Sequence, residues 1–501
     1  MGNDKAAGKN FLTSLYIYYA AFVTGLVVLA VEIIGTRVVA PYYGTTIYVW
    51  ASQISVALLS LSAGYFAGGM LSEKRPDHRV MALIMALSGL MLFVIPNIAS
   101  PILKITNPLG PRFGALAASF LLFSLPLGIM GMVSPYAIRL SAASNTIGVT
   151  AGRVYAISTI GSCSGAILAG FFLLPLLGLT AIFYACGFLM VISGLMAVLK
   201  GKGRIAAGAS VLIFVFAWEL LPVPSPEILR SRNNILMYEQ QTHYGRLRVF
   251  DHKTRYRYMM MDGAVQMFSD LRDGAFAPEY IYYFMDSVKL VPEAKSALVV
   301  GLGGGAADSM LRRQGIEVFN VDVDPYIVKA ASDFFGFNGK YAVGDGRNFI
   351  KNTREKYDII FLDTFNGYSV YPFLLSKESF TETAAKINEN GVLAINVVGR
   401  IFNSAGGVKL YDKLVVSVIK TISSVFPHVV VRAPDTELTN FLIFASKKPL
   451  EKSVLRDSID IDTSEGIILT DDYNPSDFLT HGIIELWRNY NTDYLGEEVL
   501  L

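Results

Sequence analysis

Three aspartates in the second half of the chain follow apolar, strand-like runs, and each stands where a carboxylate can meet a small ligand. Asp322 ends the run Glu317 to Val321. It comes 17 residues after Gly305, the last residue of a glycine-rich turn (Gly301-Leu302-Gly303-Gly304-Gly305) that follows the run Ala297 to Val300. An acid at the tip of a second strand accepts both ribose hydroxyls of a nucleoside. Gly301, Gly303, Gly304 and Gly305 let the backbone approach that ligand, and the N-terminus of the helix beyond them offers N–H donors. Asp345, in Gly344-Asp345-Gly346-Arg347, is either a turn acid or, with Gly346 beside it, an acceptor for an adenine amino group. Asp324 is the natural cap of a helix beginning at Pro325. Asp363 ends Asp358-Ile-Ile-Phe-Leu362 and enters an aromatic-rich loop, Thr364 to Ser376, of the kind that closes over a cleft.

These residues need a scaffold, and its rhythm is legible. Strand and helix patterns alternate at 296–300, 306–314, 317–321, 325–334, 358–362, 377–388, 391–397, 408–425 and 428–432. Such alternation gives a mostly parallel sheet with helices on both faces, whose ligands sit at the carboxyl ends of the strands. The glycine turn, Asp322, Asp345 and Asp363 therefore converge on one edge. Before this region, residues 235–268 read as short strands, with Asp262-Gly263 as a turn.

The first half is of another kind. The chain has 501 residues and is 52% hydrophobic, too apolar and too long for one soluble domain. Residues 1–226 carry 13 Lys+Arg against 5 Asp+Glu, and the remainder carries 30 against 36. An acidic second half argues against nucleic acid as a partner. Apolar stretches near 12–34, 48–71, 80–100, 113–138, 154–177, 180–199 and 206–222 have about the 20 residues that a bilayer crossing needs. The expected organisation is a helical membrane domain of about seven spans (1–222), a linker (223–234) with Pro222-Val-Pro-Ser-Pro226 at the boundary, a small β-region (235–295) and an α/β domain (296–501). Basic residues near Lys5 and Lys9, Lys74 to Arg79, Arg139 to Arg153 and Lys200 to Arg204 place the N-terminus inside. Seven crossings would put the second half outside. If the short segment 206–222 instead lies at the interface, the second half faces the cytoplasm, and a multi-pass inner-membrane protein with a cytoplasmic α/β domain is our expectation.

Glu32 is the acid set inside an apolar span; it either reaches the span's end and Arg37 or marks a function. Gly161, Gly165 and Gly170 point to close helix packing, and Pro126 and Pro175 to kinks. Cys163 and Cys186 lie in apolar segments and imply no disulfide framework. The five histidines are scattered, so no metal is expected.

Residues 238–400 resemble the spermidine synthase (polyamine aminopropyltransferase) family. The resemblance rests on Met261-Asp262-Gly263-Ala264-Val265-Gln266, the glycine turn, Asp322, Gly344-Asp345-Gly346 and Tyr357 to Asp363. Asp363-Thr-Phe-Asn-Gly-Tyr-Ser-Val-Tyr-Pro and Leu469-Thr-Asp-Asp-Tyr-Asn-Pro-Ser-Asp477 look like its membrane-fused bacterial branch. The resemblance implies a class I methyltransferase-like, Rossmann-like sheet that takes decarboxylated S-adenosylmethionine, or S-adenosylmethionine, as substrate. An amine, with a polyamine as candidate, attacks the methylene beside the sulfonium and methylthioadenosine leaves. Gln266 then joins Gly301, Gly303, Gly304, Gly305, Asp322, Asp345 and Gly346 as nucleoside-binding candidates, and Asp363 and Tyr244 are the catalytic candidates.

The chain also departs from the family. The family's G-G-G-D-G appears as Gly303-Gly304-Gly305-Ala306-Ala307, its D-S-S-D-P acids align with Asp363 and Asn366, and its Tyr-Gln pair appears as Tyr244-Gly245. Each lost acid removes charge-assisted hydrogen bonds of roughly 1.5–3 kcal/mol. Three functions remain in play: an aminopropyl or related alkyl transferase with Asp363 as anchor or base; a lyase or cyclase that splits S-adenosylmethionine without an acceptor; and a membrane transporter or sensor regulated by the nucleoside. Homo-oligomerisation is left open.

Overall fold

Helices in a bilayer must satisfy their own backbone, so apolar length decides the first part of the chain. The computed structural model describes residues 2–44, 46–141, 147–198, 233–276, 279–364, 371–403, 409–434, 436–455, 458–480, 486, 490, 491 and 493–495. The chain divides into two units, Met1–Glu227 and Ile228–Leu501.

Among the described residues of the first unit, six helical segments are long and apolar enough to span a membrane: Leu15–Tyr43, Ile47–Lys74, His78–Leu109, Arg112–Ser141, Ile147–Leu173 and Leu179–Met196. Each of the first six apolar stretches of the sequence overlaps one of them, three running a few residues past an end. The seventh, 206–222, and the Pro222–Pro226 boundary lie outside the described residues.

Small residues set the packing. A Cβ on Gly161 or Gly165 would run into the backbone carbonyl of Phe22 or Leu26 on the first helix, and one on Gly25 into that of Ser158. Gly161 and Gly165 are thus packing residues, whereas Gly170 has open space around it. Ser162 adds a hydrogen bond from its Oγ to the Gly25 carbonyl at 3.2 Å. Leu168–Leu173 forms a π-helical turn just before the short helical segment Leu174–Leu176, which contains Pro175. Glu32 is half-buried within the first span.

The second unit opens with four antiparallel strands in chain order: β1 (Asn234–Gln241), β2 (Arg246–His252), β3 (Tyr256–Met261) and β4 (Ala264–Asp270). Asp262 and Gly263 turn β3 into β4, with φ of 48° and 84°, the double left-handed geometry of a two-residue hairpin. The larger sheet contains β5 (Ser296–Val300), β6 (Glu317–Asp322), β7 (Lys340–Val343), β8 (Tyr357–Leu362), β9 (Ile387–Asn403), β10 (Lys409–Tyr411), β11 (His428–Arg432), β12 (Leu438–Ser446) and β13 (Ser458–Ile459). Its order is β13-β11-β12-β9-β8-β5-β6-β7, with β10 paired to β9. Strands β7, β6, β5, β8 and β9 run parallel, and β12, β11 and β13 are antiparallel additions.

The central strands are buried on both faces. Ala297 and Val299 with Ile359 and Phe361 feed one apolar layer, while Leu298 and Val300 with Ile360 and Leu362 feed the other. Each fully buried side chain of this size contributes about 1.5–3 kcal/mol. On the first face the Phe284 ring stacks on Phe361 with centroids 3.8 Å apart. The structure corrects the expected helix 408–425: Lys409–Tyr411 pairs with β9, and the helix begins at Lys413. Strand β7 escaped the sequence reading because it is short and mostly exposed, with little apolar patterning.

Candidate nucleoside and acceptor site

The chain leaves β5 toward β6 and β7, then returns to β8 on the other side of β5. That reversal opens a crevice at the carboxyl ends of β5 and β8. Gly301 lies at its floor with φ of 92°. Its N–H donates to the Val321 carbonyl at 2.9 Å, and the Asp363 N–H donates to the Val300 carbonyl at 2.9 Å. A Cβ on Gly301 would fall on the Asp363 carbonyl oxygen, so glycine is what lets the end of β8 lie against the end of β5. Gly303 also lines the crevice. Gly304 and Gly305 lie behind it, packed against Met267 and Phe337.

On the β6 side, Asp322 is locked across the glycine turn. Its Oδ2 accepts from Leu302 N at 2.8 Å and its Oδ1 from Asp324 N at 2.9 Å. Burial pushes its carboxyl up to about 6, against the pull of these backbone donors. Asp324 caps the helix Pro325–Phe335, accepting from Tyr326 N at 2.9 Å, as expected from its position before proline. Asp345 likewise caps Gly346–Asn352, accepting from Asn348 N at 2.7 Å, and it still lines the crevice.

On the β8 side, Asp363 is half-buried among neutral donors. Its Oδ2 accepts from the Tyr280 hydroxyl at 2.8 Å and its Oδ1 from Asn396 Nδ2 at 2.9 Å; Asn396 Oδ1 in turn accepts from Asn440 Nδ2 at 2.9 Å. Burial raises the Asp363 carboxyl above its ordinary range, and the two donors oppose that rise. Burial, then the Asp363 charge, holds the Tyr280 hydroxyl well above its ordinary value.

A cavity of about 810 Å³ joins the two sides. Its wall includes Tyr244, Gln266, Gly301, Gly303, Asp322, Asp345, Gly346 and Asp363, together with Glu279, Tyr280, Tyr371, Leu374, Asn396 and Asn440. Tyr244 stands on the β6 side: burial and the charges of Asp324, Asp345 and Asp322 raise its hydroxyl. The tyrosine hydroxyl that Asp363 holds is that of Tyr280. Gly245, the departure next to Tyr244, has the Asp262 carboxyl and Met261 sulfur where a side chain would begin. Ala306 is fully buried. Asn366 lies outside the described residues. Among the described residues no group of three or more His, Cys, Asp or Glu side chains is arranged to hold a metal.

Tyr280, Asn396 and Asn440 were missed by sequence reasoning. Asn396 left a usable signal, a lone amide within the apolar run Val392 to Val398. Tyr280 left none, since its partner comes from 83 residues away.

No family model matches the chain. It is 25% identical over 406 residues to polyamine aminopropyltransferase 2 of Aquifex aeolicus, covering 76% of each chain, a stretch longer than the unit Ile228–Leu501. It is 29% identical over 185 residues to a polyamine aminopropyltransferase of Thermoplasma acidophilum, covering 34% of this chain and 64% of that one, just under two thirds of its length. A solved structure titled as a probable spermidine synthase from Corynebacterium glutamicum aligns with a TM-score of 0.38 and 15% identity, covering 44% of this chain and 83% of that one.

Proposed function

From a chain whose curated homologues are named polyamine aminopropyltransferases, we propose a membrane-integrated transferase that moves an aminopropyl or related alkyl group from a sulfonium nucleoside to an amine. The observation that carries this reading is the pair of carboxylates flanking Gly301 at the sheet's reversal: Asp322 on the β6 side and Asp363 on the β8 side, both lining one cavity.

Asp322 accepts the ribose hydroxyls and Asp345 the adenine amino group, with Gly301, Gly303 and Gly346 giving the nucleoside close backbone approach. Gly304 and Gly305 support that turn from behind, and Gln266 and Tyr244 close the nucleoside side. The acceptor nitrogen lies toward Asp363. Its lone pair attacks the methylene carbon beside the sulfonium, a new C–N bond forms, and the C–S bond breaks with its electrons passing to sulfur. Neutral methylthioadenosine leaves, and the proton of the new ammonium passes to Asp363 or water. The sulfonium is already an activated leaving group, so in-line positioning and an unprotonated amine are what the protein supplies.

One observation favours the lyase or cyclase alternative. Ala306 is fully buried where the family places an acid, so the acceptor side loses one binding charge. Substrate choice separates the two readings. The transferase turns over decarboxylated S-adenosylmethionine only when an amine is present; the alternative forms methylthioadenosine from S-adenosylmethionine alone.

We take the stretch 206–222 as interfacial, so that the six candidate spans return the chain to the side of its N-terminus. With the basic N-terminal and loop residues inside, the catalytic unit is cytoplasmic, and loss of its protease protection in inverted but not right-side-out vesicles is the check.

A further inference from the structure

The segment Leu469-Thr-Asp-Asp-Tyr-Asn-Pro has no part in the chemistry above, yet it is tied to both walls of the cavity through one guanidinium. Arg347 directly follows Asp345 and Gly346. Its Nη1 and Nη2 reach Asp471 Oδ1 and Oδ2 at 2.6 and 2.7 Å, a bidentate fork. Its Nε donates to Glu382 Oε2 at 2.8 Å, and its Nη1 also reaches the Phe373 carbonyl at 3.0 Å. The Arg347 side chain is 16% exposed and Glu382 24%, whereas Asp471 is 40% exposed, so the guanidinium is the sheltered centre of the cluster and its fork to Asp471 lies at the rim.

Three further bonds fasten the same segment. Asn474 Nδ2 donates to the Pro372 carbonyl at 2.7 Å, Lys377 N to the Leu469 carbonyl at 2.8 Å, and Asp471 N to Glu378 Oε2 at 2.9 Å. Residues 372–378 are thus held at three points. Tyr371 and Leu374, which line the cavity, lie within or next to this stretch.

We infer that residues 469–474 form a strap that sets the cavity wall, and that Arg347 is its positioning residue, holding Asp345 and Gly346 on one side and Tyr371 and Leu374 on the other at a fixed spacing. Arg347 does not line the cavity and acts through these neighbours. The inference rests on the nucleoside reading of the site only for its effect on binding.

The test uses the full-length protein in detergent and reads two quantities. Hydrogen–deuterium exchange of the amides in 371–380 reports the strap without any ligand. Calorimetry with methylthioadenosine reports the wall. In D471N, exchange in 371–380 rises, and methylthioadenosine binds about tenfold more weakly. The double variant R347M/D471N is no worse than R347M alone, because both remove the same tie. E317Q, which breaks the exposed Lys340–Glu317 pair at the other end of the sheet, leaves both readouts as in wild type. If D471N fails to fold, R347K replaces it: lysine keeps the charge, loses the fork, and gives the same two changes in smaller measure. Exchange in 371–380 equal to wild type overturns the strap, as does a binding loss no greater than that of E317Q. If wild-type protein binds no methylthioadenosine, the proposed activity falls, and the exchange measurement alone decides the strap.

Discussion

The Tyr280 hydroxyl donates to Asp363 Oδ2 at 2.8 Å, joining a short helix before the parallel sheet to the carboxylate at the end of its fourth parallel strand in chain order. This bond and the Asn396 bond favour the charged carboxylate, whereas burial favours the neutral acid, and burial prevails. In the proposed reaction Asp363 must be ionised to take a proton from the acceptor amine, so kcat/KM is predicted to rise as pH climbs through its raised pKa. Removing the Tyr280 donor raises that pKa further. In Y280F the acidic limb of the pH–rate profile therefore moves to higher pH, while methylthioadenosine affinity stays within a few-fold of wild type.

Substitution of Asp363 itself separates chemistry from binding. D363N keeps the shape of the site and removes the base; kcat falls by about 10²–10⁴-fold. Its effect on the fold has the opposite sign. A carboxyl whose folded pKa is raised contributes stability that is lost as pH rises through that pKa. D363N escapes this loss, so at neutral pH its thermal midpoint in detergent is no lower than that of wild type. A large fall in midpoint would contradict the burial argument.

Asp322 predicts a second pH dependence. In the proposed site its carboxylate accepts the ribose diol when ionised, and its carboxyl is pushed up to about 6. Nucleoside binding is therefore full well above that pH and weakens as pH falls through it. D322N loses charge-assisted hydrogen bonds of roughly 1.5–3 kcal/mol each and binds methylthioadenosine at least about tenfold more weakly at neutral pH. Calorimetry across the pH series reads both effects.

The parallel core and its turn were legible in the sequence because local rules agree there. Buried alternating runs, a glycine turn and a terminal acid all describe the same β5–β6 unit. Asp324 was legible as a cap from the proline after it, whereas Asp345, read as a turn acid or an adenine acceptor, proves to cap Gly346–Asn352. Partnerships that depend on distant pairing were not legible: nothing near Tyr280 announces Asp363, and nothing near Arg347 announces Asp471, 124 residues on. Tyr244 shows the same limit, since its place near Asp324 follows from the β1–β2 turn, where Thr242 accepts from Tyr244 N and bonds the Asp324 carboxylate.

Glycine substitutions test the scaffold. G301A adds a Cβ at a φ of 92° and onto the Asp363 carbonyl, costing about 2–4 kcal/mol of stability or the loss of soluble protein. In the first unit, G161A forces a Cβ into the Phe22 carbonyl, whereas G170A meets open space. Thermal unfolding in detergent should show a lowered midpoint for G161A and none for G170A.

The most direct measurement counts products. Wild-type protein, incubated with decarboxylated S-adenosylmethionine and putrescine, is quenched, and nucleoside and amine products are quantified together by mass spectrometry. The account predicts methylthioadenosine and an elongated amine in equal amounts, with neither formed when the amine is omitted and both lost in D363N. Methylthioadenosine formed without any elongated amine, at the same rate with or without putrescine, would contradict it.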